Sequence, residues 1–280
     1  MEGFVVGIDG SKASEAALRW ASRVAATGGI ELFVVNSYGN PYAEMAPDDH
    51  DRLLADRVED LSGWARPAVE AGATVRTEVL EGDPRTSLMT RVESDPPELL
   101  VLGRSGRGGG PGFLHLGSVV EHAAHHARCP LAVIPPDSGG TVRRIVLGVD
   151  GSEPAAAAVA WCARFAASTG AEVLAVTVRE PIVEWTPAWD EKNWRRDVER
   201  EVADWVRPIV DAGVEVETLP TENLHPADGL LGVASARDAD LVVLGTRGAG
   251  GFAGLRFGGV AIKVLHRASL PLVLVPPPGS

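Results

Sequence analysis

The sequence predicts an internally duplicated α/β protein, in which two copies of one domain are each built on a parallel β-sheet with helices on both faces. Two observations support this fold class: long segments recur at a nearly constant offset, and short apolar runs alternate with longer helical stretches. The chain has 280 residues, 45% of them hydrophobic and 23% charged. That length and composition suit two soluble globular domains, because single cores seldom grow beyond about 250 residues.

The duplication is evident at both ends of the chain. VVGIDGS (5–11) recurs as VLGVDGS (146–152), and CPLAVIPP (129–136) recurs as LPLVLVPP (270–277). In the middle, LLVLGRSGRGG (99–109) recurs as LVVLGTRGAGG (241–251) with the offset longer by one residue. A register kept over nearly the whole chain indicates a true repeat. The predicted domains are 1–138 and 141–280, joined by a short polar linker.

Within repeat 1, the apolar runs rich in Val, Ile and Leu predict buried strands at 4–8, 30–35, 73–80, 98–103 and 130–135. The stretches between them predict helices at about 11–28, 49–71, 84–94 and 117–128. Strands that alternate with helices are typical of crossover units on a parallel sheet. Each repeat has room for five strands and four helices, which makes a complete domain.

Charge and composition argue against several classes of partner. The formal net charge of −12 disfavours nucleic acid and anionic membranes. The sequence shows no signal segment and no apolar run near the ~20 residues that span a bilayer, so we expect a cytoplasmic protein. Cys129 and Cys162 match a leucine and an alanine in the other repeat, which favours core thiols over redox chemistry.

The turn after the first strand is the first candidate site. Ligands of open parallel sheets bind beyond the carboxyl ends of the strands, where the strand order reverses. Asp9 and Asp150 lie there, each followed by a glycine that permits a tight turn and a serine that can cap the next helix. Each aspartate can either cap that helix or accept hydrogen bonds from ribose hydroxyls, and the residues alone favour the cap.

Glycine-rich segments after the fourth strand form the second candidate site. Repeat 1 has Gly103 and Gly106, ten further residues, and then Gly117 and Ser118 opening a helix. Repeat 2 has Gly245, Arg247 and Gly248, nine further residues, and then Gly258 and Gly259. Glycine-rich backbone and a helix start both present N–H groups to an anion. A surface loop is the alternative, and two copies in the same strand-to-helix context favour phosphate binding.

Other chemistries are poorly supported. The sequence has no P-loop motif, and its match to GxGxxA follows the wrong strand for a dinucleotide fold. His122, His125 and His126 share one predicted helix without a clear carboxylate partner, so a solvated or capping role is favoured over a metal site. No triad or carboxylate pair is suggested, so we predict no catalytic residues and favour a binding protein over an enzyme.

Taken together, the aspartate turn, the Gly-x-x-Gly and the glycine-led helix start resemble the universal stress protein family, in both repeats. The family signature is Gly-x-x-Gly, nine residues, then Gly-Ser or Gly-Thr, which in ATP-binding members cradles the phosphates. The resemblance implies a strand order of 3-2-1-4-5, and ribose contacts for Asp9 and Asp150 in place of a pure cap. It also implies adenine contacts near Ser37 and Val178, and phosphate contacts at Gly103, Gly106, Gly117, Ser118, Gly245, Arg247, Gly248, Gly258 and Gly259.

Two departures from the signature are visible. Repeat 1 has ten residues in the arc, and repeat 2 has Gly259 where the hydroxyl residue belongs. The Ser118 hydroxyl predicts modestly tighter nucleotide binding in repeat 1. The segment 181–195 holds Trp185, Trp189 and Trp194. Local packing of these tryptophans is favoured, and a lid or a partner surface is the functional alternative.

The expected function is that of a stress-response sensor or regulator that binds ATP or another adenine nucleotide, with or without Mg²⁺. Its expected assembly is an intramolecular pair of domains, with a homodimer as a further option. Two alternatives stay open: a slow ATPase or nucleotidyl-transfer enzyme on the same site, and a nucleotide-free interaction protein of the same fold.

Overall fold

A computed structural model describes residues 3–39, 47–106, 116–138, 141–179, 191–248 and 257–278. The chain divides into two compact units, Met1–Thr141 and Val142–Ser280. The side chains of Trp185, Trp189 and Trp194 lie outside the described residues, and so does most of the segment 181–195.

The first unit alternates strands with helices. Its strands are β1 (Phe4–Gly7), β2 (Leu32–Tyr38), β3 (Val75–Glu81), β4 (Leu99–Gly103) and β5 (Leu131–Ile134). Its helices are α1 (Lys12–Gly28), α2 (Pro47–Glu70), α3 (Pro84–Ser94) and α4 (Ser118–His126). Every strand that the apolar runs predict is present.

The strands of the first unit pair in the order β3-β2-β1-β4-β5, and every pairing is parallel. The predicted order 3-2-1-4-5 is therefore confirmed. Phe4 pairs with Leu32 on one side and with Leu99 on the other, so the strand order reverses between β1 and β4. This reversal opens a crevice at the carboxyl ends of the two strands, where ligands of such sheets bind.

The second unit repeats the arrangement. Its strands are β6 (Arg144–Gly148), β7 (Glu172–Arg179), β8 (Val216–Glu222), β9 (Leu241–Gly245) and β10 (Leu272–Val275). Its helices are α5 (Glu153–Thr169), α6 (Glu191–Trp205), α7 (Arg207–Asp211), α8 (Pro226–Ala236) and α9 (Gly259–Arg267). The strands pair in parallel in the order β8-β7-β6-β9-β10, which is the same order as in the first unit.

The two units differ at one helix. Pro67 lies inside α2, whereas its counterpart Pro208 lies in the first turn of α7, directly after α6 ends. Because proline has no N–H to donate and its ring crowds the preceding turn, it favours a break at such a point. The described part of the second unit thus has one more helix than the four that we predicted for each repeat.

The core of each unit is the sheet itself. Residues 99–102 of β4 and 241–244 of β9 are buried, as expected for strands that are covered on both faces. In the first unit α1 contacts α2, and α3 contacts α4. Both cysteines are buried free thiols, and burial raises the pKa of each to about 12. The prediction of core thiols is confirmed.

Helix ends follow local chemistry. Ser11 and Ser152 are the N-cap residues of α1 and α5, and each accepts a hydrogen bond from the third residue of its helix, as the sequence predicts. Gly29 and Gly170 end these helices in the left-handed conformation, at φ 65° and 72°. Among the described residues, no helix combines the length and the hydropathy that crossing a membrane requires.

Candidate functional site

Each unit has one cavity at the point where its strand order reverses. The cavity of the first unit measures about 440 Å³, and that of the second about 430 Å³. The first is lined by all six residues predicted from repeat 1: Asp9, Ser37, Gly103, Gly106, Gly117 and Ser118. The second is lined by all seven predicted from repeat 2: Asp150, Val178, Gly245, Arg247, Gly248, Gly258 and Gly259. The structure thus brings together residues far apart in sequence.

The aspartate after β1 holds its turn and leaves the helix cap to the serine. The Asp9 Oδ1 atom accepts a hydrogen bond from the Ser11 N–H at 3.0 Å, and Ser11 Oγ accepts one from the Ser14 N–H at 3.2 Å. In the second unit, Asp150 Oδ1 accepts from the N–H and the hydroxyl of Ser152, at 3.1 and 2.6 Å. The turn therefore fixes the carboxylate at the cavity wall, and neither aspartate is the N-cap of its helix.

The second glycine of Gly-x-x-Gly lies against this carboxylate. A Cβ added at Gly106 would lie 2.8 Å from Asp9 Oδ2, and a Cβ at Gly248 would meet Asp150 Oδ2 even more closely. Real Cβ atoms do not approach other atoms this closely, so a side chain here would push the aspartate away. Glycine at this position brings the loop after the fourth strand of the unit into contact with the turn after its first strand.

The first glycine of the motif has a packing role. A Cβ at Gly103 would lie 2.5 Å from the Ala13 carbonyl oxygen and 2.6 Å from the Ser14 nitrogen. At Gly245 the corresponding neighbour is the Pro154 carbonyl oxygen, at 2.7 Å. The missing side chain lets the first turn of α1 or α5 pack onto the end of the neighbouring strand, beside the cavity that Gly103 or Gly245 lines.

The glycine before α4 closes the arc. The Gly117 N–H donates to the Arg104 carbonyl at 2.8 Å, and the Gly258 N–H donates to the Thr246 carbonyl at the same distance. These two N–H groups are therefore engaged and do not point to a ligand. Neither glycine supplies a side-chain cap, so the first-turn N–H groups of α4 and α9 have no capping side chain. The helix start, with its positive dipole end, borders the cavity.

The opposite end of each cavity lies at the end of β2 or β7. The Ser37 hydroxyl is 2.5 Å from the Ser87 hydroxyl and donates to the Gly82 carbonyl at 3.3 Å. Its counterpart Val178 offers only an apolar surface. The buried Asn36 donates from Nδ2 to the Ile8 carbonyl at 2.7 Å, which ties the end of β2 to the end of β1. Because valine replaces serine at position 178, this end of the cavity is largely apolar in the second unit.

The sequence motifs did not point to three lining residues with polar side chains. Ser14 and Ser105 line the first cavity, and Lys263 lines the second. Ser105 lies inside the Gly-x-x-Gly segment, so its position alone could have suggested it. Lys263 follows Gly259 by four residues, and residues four apart share one face of a helix. That spacing was the available signal for a cation beside the helix start.

The histidines of α4 form a stacked pair. The rings of His122 and His126 lie 4.1 Å apart, and His126 Nδ1 lies 2.8 Å from the His122 carbonyl oxygen. Burial, with smaller contributions from His126 and Arg85, lowers the pKa of His122 below its ordinary value. Among the described residues, no group of three or more His, Cys, Asp or Glu side chains lies close enough together to hold a metal ion.

Comparison with known structures supports the fold. A universal stress protein from Archaeoglobus fulgidus superimposes with a TM-score of 0.75 and 20% identity, over 98% of this chain and 98% of that one. A putative universal stress protein from Pseudomonas aeruginosa superimposes with a TM-score of 0.66 and 17% identity, over 99% of this chain and 94% of that one. At these identities, the comparison speaks for the fold alone.

Sequence comparison is more specific. A universal stress protein of Mycobacterium tuberculosis is 31% identical over an alignment of 296 positions, which covers 97% of this chain and 96% of the relative. One from Mycolicibacterium smegmatis is 27% identical over an alignment of 293 positions, which covers 98% of this chain and 97% of the relative. The model of the universal stress protein family matches the chain twice, at residues 1–135 and 141–276. The chain therefore belongs to the universal stress protein family, and it carries two tandem copies of the family's domain.

Proposed function

We propose that both cavities bind adenine nucleotides and that the protein acts as a nucleotide-dependent sensor or regulator in the stress response. One observation carries the proposal: in each unit the aspartate turn, the Gly-x-x-Gly segment and the start of the following helix line a single cavity. Volumes of 430 and 440 Å³ fall in the range of small-molecule sites.

The strands lie in the order β2-β1-β4, so the groups at their carboxyl ends follow the order of base, ribose and phosphates in a nucleotide. The end of β2, at Ser37, offers a surface for the base. The carboxylate of Asp9 lies next and can accept hydrogen bonds from ribose hydroxyls. The glycine loop and the start of α4, at Gly106 and Ser118, follow and suit the phosphates. The second unit repeats this order with Val178, Asp150, Gly248 and Gly259.

Magnesium would enter this site with the nucleotide. Mg²⁺ is usually held by one or two carboxylates together with substrate phosphates and water. Among the described lining residues, each cavity offers one carboxylate, Asp9 or Asp150. A bound Mg²⁺ would therefore rest mainly on phosphate oxygens and water, because that aspartate is the proposed ribose ligand.

The lining favours binding over chemistry. Among its described residues, the first cavity presents hydroxyls, backbone and one carboxylate, and that carboxylate is engaged in its own turn. A general base must lie within hydrogen-bond reach of the proton that it removes, and a turn-bound aspartate beside the ribose is poorly placed for this. We therefore favour regulation over a slow ATPase or nucleotidyl-transfer activity, and we propose that the protein acts in the cytoplasm as an intramolecular pair of domains.

Native mass spectrometry of the purified full-length chain tests the proposal. We expect mass additions that match one or two adenine nucleotides and that disappear after denaturation. Bound ATP that converts to ADP within the complex over hours would support the enzymatic alternative. A protein that takes up no adenine nucleotide, even when ATP is added in millimolar excess, would contradict the proposal and favour an interaction protein that only keeps the fold.

A further inference from the structure

The two cavities differ in charge although equivalent elements build them. Among the described residues that line the first cavity, Asp9 is the one charged side chain. The described lining of the second cavity contains Asp150 together with two cations, Arg247 and Lys263. The described lining therefore carries one negative charge in the first unit and one net positive charge in the second.

The two cations occupy the part of the cavity that suits phosphates. Arg247 lies inside the Gly-x-x-Gly segment after β9, where the first unit has Ser105. Lys263 lies one turn into α9, where the first unit has His122. Both line the cavity that the start of α9 borders, so an anion bound at this helix start would lie in a cavity that holds two cations.

Both cations are available to a ligand. Neither forms a hydrogen bond or an ion pair with the residues that the structure describes, and Arg247 Nε is buried without an acceptor among them. Other arginines of the second unit are paired: Arg144 with Glu172, and Arg179 with Glu201 at 2.6 Å. Because a buried donor without an acceptor is costly, an unpaired guanidinium nitrogen beside a cavity favours an incoming anion.

The first cavity offers neutral donors in the corresponding places. Ser105 and Ser118 line it, and both can donate a hydroxyl hydrogen to a phosphate oxygen. At the position of Lys263, the His122 ring does not line the described cavity, and burial lowers the pKa of His122, which disfavours its charged form. Hydroxyl donors can hydrogen-bond to a phosphate oxygen, but they add no positive charge to the cavity.

We propose that the second cavity selects nucleotides by their number of phosphates, through Arg247 and Lys263, whereas the first cavity discriminates weakly between mono- and triphosphates. This inference rests on the proposed function of the same cavities. Each additional phosphate adds negative charge, which a nearby cation attracts directly and a neutral hydroxyl does not. We expect ATP to bind about 10- to 100-fold more tightly than AMP in the second cavity, and within about threefold of AMP in the first.

Calorimetry on the full-length chain tests this proposal with three probes: ATP, AMP and inorganic triphosphate. A Gly106→Asp background reports the second cavity, and a Gly248→Asp background reports the first. Within the Gly106→Asp background, Arg247→Ser with Lys263→His gives the second cavity the residues of the first. The reciprocal exchange, Ser105→Arg with His122→Lys, is made in the Gly248→Asp background. Arg247→Lys keeps the charge and serves as the matched control.

The exchange should lower the ATP-to-AMP affinity ratio of the second cavity to about that of the first, while AMP affinity changes by less than about threefold. The reciprocal exchange should raise the ATP-to-AMP affinity ratio of the first cavity. Arg247→Lys should retain most of the original ratio of the second cavity. Thermal melting confirms that each variant is folded. Equal ATP-to-AMP ratios in the two cavities would overturn the inference and leave nucleotide binding standing. If no adenine nucleotide binds but inorganic triphosphate binds and is lost on the exchange, the proposed function fails and the charge selection stands. If the unaltered protein binds neither adenine nucleotide nor inorganic triphosphate, the proposed function and the charge selection are both overturned.

Discussion

The indole ring of Trp205 covers Gly151 in the turn after β6. A Cβ added at Gly151 would lie 2.6 Å from Trp205 Cζ2, and Gly151 has the left-handed φ of 74° that glycine adopts without strain. Gly151 follows Asp150, whose side chain lines the second cavity. The last residue of α6 thus packs on the turn that holds the candidate ribose ligand.

This contact makes Trp205 a reporter of the second cavity. We expect nucleotide binding to change tryptophan fluorescence, because ordering of the Asp150 turn alters the surroundings of the indole ring. Trp205→Phe should remove most of the change, whereas Trp161→Phe should preserve it, since Trp161 stacks on Phe165 inside α5. A signal that survives Trp205→Phe intact would contradict this assignment.

Substitution of the second motif glycine should block one cavity at a time. In Gly106→Asp the new carboxylate would meet Asp9, and two carboxylates at this distance repel each other and any phosphate. We expect calorimetry to lose one of two binding events, and Gly248→Asp to remove the other. Gly63→Asp and Gly232→Asp add the same charge where nothing lies within 4 Å of the Cβ, and they serve as controls.

The ranking of the two cavities is a separate outcome of the same titrations. The Ser118 hydroxyl predicts modestly tighter nucleotide binding in the first unit. The cations at Arg247 and Lys263 predict that ATP binds more tightly in the second cavity. For AMP, the hydroxyl still predicts tighter binding in the first cavity. If Gly106→Asp removes the tightest ATP-binding event, the hydroxyl outweighs the two cations.

The first motif glycine should matter for stability more than for ligand contact. Gly103→Ala would force the first turn of α1 away from β4, and we expect it to lower the free energy of unfolding by about 1–3 kcal/mol. Gly63→Ala, in the middle of α2 with open space around its Cβ, should instead raise it by about 0.4–1 kcal/mol. Urea denaturation of both variants measures the difference. A Gly103→Ala protein as stable as the parent would refute the packing role.

Both thiols should be unreactive in the folded protein. Burial raises the pKa of Cys129 and Cys162 to about 12, so the thiolate that reacts with disulfide reagents is scarce at pH 8. We expect no reaction with a coloured disulfide reagent in the native state, and two thiols per chain after addition of denaturant. Rapid labelling of either cysteine in the native protein would show that its surroundings open readily.

His122 should titrate below the ordinary pKa of histidine. The pKa of His122 is lowered, so the folded state disfavours its proton. Its contribution to stability is therefore complete above the unfolded pKa of about 6.5 and is lost as the pH falls from there through the folded pKa. NMR titration should give His122 a midpoint below 6.5, and His126→Asn should raise that midpoint part of the way. The His122→Asn spectrum assigns the signal.

Local sequence patterns predicted much of the architecture. The duplication, the strands and the serine caps each depend on neighbouring residues, so periodicity and repeat register predicted them from the chain alone. The strand order came from the family resemblance, and with it came the expectation that the ends of β1, β2 and β4 meet. All thirteen predicted lining residues reach a cavity wall because the motifs lie at strand ends, which a parallel sheet gathers at one edge.

The roles within the site were decided by tertiary structure. Gly103 and Gly106 are equivalent as letters, yet one packs against α1 and the other against the Asp9 carboxylate, more than 90 residues away in sequence. Lys263 reaches the second cavity because α9 begins at the rim of that cavity. Pro67 lies inside α2, whereas its counterpart Pro208 lies beside the break between α6 and α7. Sequence determined which residues stand at the carboxyl edge of each sheet. Only the packing of helices and loops over that edge decided which atoms meet, because such contacts depend on distances between segments that local patterns do not encode.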